Sequence, residues 1–208
     1  MKRYVTELIG TFFLVFTIGM VSVAGSAGAP LAIGSVLMVM VYMGGHVSGA
    51  HYNPAVSVAV LLRGAMEKSD FVPYILAQLL GATLASAVVV VLTGSSFAPA
   101  PSTGPIQALV AEALVTFALA LVVLNVATAE STKGNSYYGL AIGFTVLAGA
   151  TAVGNFSGGA FNPAVGVGPI FIDAISGGGS IADVWLYIVG PVAGAAAAVP
   201  VFRLQTEN

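Results

Sequence analysis

Cysteine is absent from this chain. Disulfides and thiolate metal sites are therefore excluded, and mercurial reagents have no thiol to act on. Charge is nearly as scarce. Lys and Arg number 6 and Asp and Glu 8, so that 7% of the 208 residues are charged, against about 25% in a soluble domain. The net charge of −2 is too small to argue for a nucleic-acid partner. Serine-hydrolase, phosphate-loop and dinucleotide signatures are missing, and no carboxylate pair suggests acid–base work. No enzyme is expected, and no cofactor.

What fills the chain is hydrophobic, at 58%. Met1-Lys2-Arg3 leads into an apolar run too long for a signal-peptide core and without a clear cleavage signal, so it reads as a first membrane helix. Six long apolar segments emerge, roughly 4–25, 31–48, 71–93, 106–128, 136–155 and 183–203.

Between the second and third segments, and again between the fifth and sixth, lies a repeated stretch. Ser48-Gly49-Ala50-His51-Tyr52-Asn53-Pro54-Ala55-Val56 recurs as Ser157-Gly158-Gly159-Ala160-Phe161-Asn162-Pro163-Ala164-Val165. The Ser-Gly pair and the Asn-Pro-Ala-Val run are identical, and Tyr52 is exchanged for another aromatic, Phe161. Asn is a favoured N-cap, and Pro is favoured at the first helical position, where its missing N–H costs nothing. Each copy therefore starts a short helix, from Pro54 to about Leu62 and from Pro163 to about Ile172. At ~1.5 Å per residue, ten residues cover roughly 15 Å, half the hydrocarbon thickness. A single Asn-Pro-Ala reads as an ordinary cap on a soluble surface. Two copies inside apolar sequence do not, because irregular backbone at membrane depth must lie within protein or line a water-filled cavity.

The order is thus two long helices, a half-helix and a third long helix, given twice. Three spans per half make the second half enter from the opposite side, so the repeats are inverted around a midplane site. Glu7-Leu8-Ile9-Gly10-Thr11-Phe12 aligns in the same way with Glu112-Ala113-Leu114-Val115-Thr116-Phe117. The expected fold is an all-α membrane protein with six transmembrane helices and two re-entrant half-helices. It forms one channel domain over 1–208, with repeat one at about 1–93, a linker at 94–105 and repeat two at 106–208. With the N-terminus inside, Lys2, Arg3, Arg63, Lys68, Lys133 and Arg203 all fall on the cytoplasmic side, the positive-inside pattern. Both termini are then cytoplasmic, and the cell membrane is the expected location. Gly45 and Gly49, Gly81 and Ala85, and Gly190 and Gly194 are pairs spaced for close helix packing. Trp185 and Tyr187 read as interface anchors.

The paired motifs, the Glu-x-x-Gly/Val-Thr-Phe repeats and Gly45-His46-Val47-Ser48-Gly49-Ala50-His51 resemble the major intrinsic protein family, the aquaporins and aquaglyceroporins. The resemblance covers essentially the whole chain. Around Phe156 to Val165 it is similar to the tonoplast branch, which also can carry Val there. It implies two half-helices meeting in the middle, a pore in each monomer, and a homotetramer in the lipid bilayer. It also implies a central constriction at Asn53, Pro54, Ala55, Asn162, Pro163 and Ala164. The family's narrowest ring, carried over by spacing from the two Asn residues, falls on Ile33, Ala150, Gly159 and Val165. Most members have arginine where this chain has Val165, so the guanidinium and its donor fork are missing. Glycerol-selective relatives usually follow that arginine with Asp, and here Gly166 stands there. A permissive pore for water and small uncharged solutes such as ammonia, urea, hydrogen peroxide or glycerol is expected. A strict water channel is the alternative.

Two half-helix N-termini, each worth roughly +0.5 charge, would oppose a cation about 5 Å from both by roughly 3 kcal/mol at an effective dielectric of about 20. A neutral solute escapes that barrier, and the Asn amides offer donors to its oxygen. Glu7 and Glu112 are ionisable groups inside membrane helices, which suggests either a proton relay or acceptors that brace the re-entrant loops. Their matching places in the repeat favour bracing. His51 reads as lining or buttressing the cytoplasmic half of the pore, and His46 offers a weaker reading as a pH-sensitive gate. Neither histidine has Cys, Asp or Glu nearby in sequence, so no metal site is expected. An ion-coupled transporter would also use broken helices and inverted repeats, but it needs titrating groups near the substrate. A non-conducting junction protein on the same frame is the remaining possibility.

Overall fold

The computed structural model describes residues 1–206. Eight α-helices make up the described chain: α1 Lys2–Val23, α2 Ala29–Ser48, α3 Pro54–Arg63, α4 Lys68–Thr93, α5 Pro105–Thr128, α6 Tyr138–Ser157, α7 Pro163–Ser176 and α8 Leu186–Thr206. Six of them, all but α3 and α7, are long and apolar enough to cross a membrane. Their surfaces suit lipid rather than water. On α4, Leu76, Leu80 and Leu84 form an exposed apolar stripe at helical spacing, and such stripes recur around the bundle. The polar residues lie inside instead, among them Glu7, Gln78, Glu112, Asn53 and Asn162.

Helix starts follow the expected chemistry. The Asn53 side-chain oxygen accepts from the Ala55 amide at 2.8 Å, and that of Asn162 from the Ala164 amide at 2.9 Å. Both stretches reach these caps through a broken helix end. Gly49 and Gly158 terminate α2 and α6 in the left-handed region, at φ 85° and 93°, where a side chain would be strained. The α3 end agrees with the expected boundary to one residue. The α7 helix runs a turn further than expected, to Ser176, because its last turn is closed by polar contacts. Gly177 donates its amide to the Asp173 carbonyl, and the Ser96 hydroxyl donates to the Asp173 carboxylate at 2.5 Å. At 14 residues it spans about 21 Å and still cannot cross a bilayer.

Packing couples the two halves. Helix α1 lies along α4 and α5 along α8, while each half-helix crosses over: α3 packs on α8 and α7 on α4. Small residues make the close approaches. A Cβ at Gly81 would collide with the Leu8 carbonyl oxygen, and one at Gly194 with that of Ala113. The third expected pair, Gly45 with Gly49, does not work this way. Gly49 is the helix stop, and Gly45 faces the Tyr138 ring. The α2–α6 seam is made instead by Gly34 and Gly143, each lying against the other's carbonyl oxygen. Tyr187 is also not an interface anchor. It is fully buried, and its hydroxyl donates to the Ser157 carbonyl at 2.6 Å, while Trp185 is 43% exposed.

Candidate functional site: a lumen with a narrow neck

The two re-entrant loops meet head to head. The Asn53 side-chain amide donates to the Phe161 carbonyl at 2.9 Å, and the Asn162 amide to the Tyr52 carbonyl at 2.9 Å. Each amide nitrogen has two hydrogens, so one on each Asn remains for a passing molecule. Tyr52 and Phe161 hold matching left-handed conformations, at φ 49° and 51°, and Ala50 and Gly159 do so at 52° and 67°. Left-handed backbone at non-glycine residues persists only where the surroundings impose it.

The imposing groups are the two buried glutamates. Glu7 accepts from the Ser48 hydroxyl at 2.7 Å and from the amides of His51 and Tyr52 at 2.9 and 2.7 Å. Glu112 accepts from the Ser157 hydroxyl at 2.7 Å and from the amides of Ala160 and Phe161 at 3.1 and 2.6 Å. A tyrosine adds to each loop: Tyr74 donates to the Ser48 carbonyl at 2.7 Å, as Tyr187 does to that of Ser157. The tyrosine pair escaped sequence reasoning, although a signal was there: Tyr74-Ile75 is followed by Gly81-Ala82 at the same spacing as Tyr187-Ile188 by Gly194-Ala195.

Three cavities lie in series. An outer one of about 440 Å³ shares Ile33, Gly159 and Val165 with a neck of about 30 Å³, and the neck shares His51, Val123 and Ile142 with an inner one of about 880 Å³. The neck volume is above the minimum of roughly 10–15 Å³ that a single water needs. It is bordered by Asn53 and Asn162 and is otherwise mostly apolar, with Leu14, Leu37, Leu119 and Val146 among its walls. These apolar walls were not separable from core in the sequence, because a pore-facing Leu and a packed Leu have the same periodicity. Ala150 borders only the outer cavity, and Val146, one turn earlier on α6, reaches the neck. No charged side chain lines the outer cavity or the neck, whereas Arg3, Glu67, Asp70, Glu130 and Lys133 rim the inner cavity. His46 also lies on that inner rim. The inner rim is tied by an Arg3–Asp70 ion pair at 2.7 Å. Among the described residues no group of His, Asp or Glu is arranged to hold a metal ion.

A bundle of six apolar spans, pierced by a lumen that narrows between two opposed half-helices, defines a polytopic membrane channel. A family model described as "Major intrinsic protein" matches residues 1–202, and the chain belongs to that family. It is 38% identical to "Aquaporin NIP1-1" of Zea mays over 98% of this chain and 74% of that protein. It is 36% identical to "Glycerol uptake facilitator protein-like 6" of Lactiplantibacillus plantarum over 94% of each. The solved "aquaglyceroporin from Plasmodium falciparum" has the same fold, with a TM-score of 0.80 at 24% identity over 99% of this chain and 95% of that one. The protein is thus a passive channel for water and small solutes and not an enzyme. Neither sequence relative is of the tonoplast type. That expectation rested on the few residues around Val165, and the whole-chain similarity to a NIP-type aquaporin replaces it.

Proposed function

We propose that this channel is permissive, passing water together with small uncharged solutes and rejecting protons and ions at its neck. The observation that carries this reading is the uncharged outer approach: Ile33, Ala150, Gly159 and Val165 face the outer cavity, and none carries a charge or a fixed side-chain donor. Val165 is 4% exposed and stands where a guanidinium would otherwise narrow and charge the passage. Gly166 is set by packing, because a Cβ there would collide with the Tyr187 side chain. An Asp at that position has no room. The names of the relatives from L. plantarum and P. falciparum keep glycerol among the candidate solutes, beside urea, ammonia and hydrogen peroxide.

Ion rejection falls to the two half-helix N-termini capped by Asn53 and Asn162, with Pro54, Ala55, Pro163 and Ala164 in their first turns. Their dipole ends and free amide hydrogens favour a neutral oxygen and oppose a cation. Water oriented at both amides would break a continuous proton wire. Residues 1–208 act as a single channel domain, in a homotetramer in the cell membrane, with both termini cytoplasmic. The clustering of Arg3, Arg63, Lys133 and Arg203 at one end of the bundle supports that orientation.

A strict water channel is the second reading, favoured by the small volume of the neck beside the two cavities that flank it. Stopped-flow light scattering on proteoliposomes separates the two. Urea and glycerol flux well above that of protein-free vesicles is expected. Fast water flux with exclusion of urea, glycerol, ammonia and hydrogen peroxide would leave the strict reading standing.

A further inference from the structure

The two loops are held by matching contacts, yet the first carries an extra set of polar side chains that the second lacks. Gln78 donates through one amide nitrogen to Glu7 at 2.8 Å and to the Ser57 hydroxyl oxygen at 3.0 Å. Ser57 in turn lies 3.0 Å from His51 Nδ1. The corresponding residues of the second repeat are Ala160 for His51, Gly166 for Ser57 and, four residues after the matched tyrosine, Pro191 for Gln78. None of these three has a polar side-chain atom. Since Glu112 braces its loop without them, the His51–Ser57–Gln78 set is not needed for bracing.

Proton counting around Ser57 has one solution in which each of these side-chain contacts is a hydrogen bond. Gln78 must present its nitrogen to Glu7, because the reversed amide would set an oxygen against a carboxylate whose other partners are all donors. Ser57 therefore accepts from Gln78. The Ser57 hydroxyl has a single hydrogen, and the Asn53 carbonyl at 3.1 Å can only accept it. With the hydroxyl hydrogen on the Asn53 carbonyl, which also accepts from the Ser57 amide at 3.0 Å, the remaining Ser57 lone pair faces His51 Nδ1, which then carries the proton. The set is not a proton wire, because an amide N–H is not a transferable proton at ordinary pH.

We infer that Gln78 and Ser57 are positioning residues that keep the His51 proton on Nδ1, so that Nε2 faces the inner cavity as a bare acceptor for a permeant N–H or O–H. Nε2 has no protein hydrogen-bond partner among the described residues. It lies on the side of Gly49, where an added Cβ would stand 3.3 Å away, and both residues border the inner cavity. The ring is held in place by the Tyr74 ring, at 5.2 Å between centroids. The acceptor role rests on the reading of this lumen as the permeation path; the tautomer does not.

Nitrogen-15 solid-state NMR of the full chain in lipid bilayers tests this. The sample carries His46→Gln, leaving one histidine, and is held above the ordinary imidazole titration range. A protonated Nδ1 and an unprotonated Nε2 are expected, and a protonated Nε2 overturns the inference. Ser57→Ala, checked for an unchanged circular dichroism spectrum, removes the acceptor at Nδ1, and the single-tautomer spectrum is expected to be lost. A Ser57→Ala spectrum identical to the parent removes Ser57 from the role. Because no flux is measured, failure here is distinct from failure of the permissive-channel reading.

Discussion

Gly194 of α8 lies so close to the Ala113 carbonyl of α5 that no methyl group fits between them. The obstacle is backbone rather than a side chain that can swing aside. Gly194→Val is expected to force the two helices apart and cost on the order of 1–3 kcal/mol. The check is thermal unfolding in detergent, with Gly154→Ala as control, since a Cβ at Gly154 meets no neighbouring atom. Equal melting temperatures for the two variants would contradict the packing account.

Glu112 accepts from three donors and has no donor role. Glu112→Gln keeps the shape but turns one oxygen into an NH₂ group facing an N–H or O–H. One contact becomes donor against donor, at roughly 1–3 kcal/mol for a buried group left unpaired. The expected result is a lower unfolding temperature together with reduced water flux. A variant with wild-type flux and stability would show that the second loop is held by other means.

Val165→Arg places a long cation at the junction of the outer cavity and the neck. The outer cavity has room for the side chain, so folding is expected to survive. Urea and glycerol permeabilities should fall roughly tenfold or more, the effect of about 1.4 kcal/mol of added barrier, while water flux falls less. If the solute spectrum is unchanged, the ring does not run through Val165.

With no cysteine in the chain, mercurial reagents should leave water flux untouched. Val165→Cys introduces a thiol at the neck, and the same reagents should then block it. Continued flux after complete labelling would place residue 165 off the path.

Much of this arrangement could be read before any coordinates. The two Asn-Pro-Ala runs carry both a cap and a helix start, so α3 and α7 were legible from chemistry alone, as were six spans from hydropathy. The matched placement of Glu7 and Glu112 pointed to loop support because symmetry is visible in a sequence. Contacts without local signatures were not legible. Gly34 and Gly143 are far apart in the chain and sit among many other small residues, so nothing marks them as a seam. Tyr187 looked like a membrane anchor because its position near a helix start is visible and its burial is not. Gln78 and Ser57 carry weight only through a partner on another helix, and sequence spacing says nothing about such triangles.

The interlock at the neck also bears on how the chain is made. Asn53 finds its carbonyl at Phe161, and α3 rests on α8, both of which are made long after α3 itself. The early helices can enter the bilayer one by one, but their shared centre has to wait for the tail. Until then the newborn first half carries an amide without a mate and a stub without a bed.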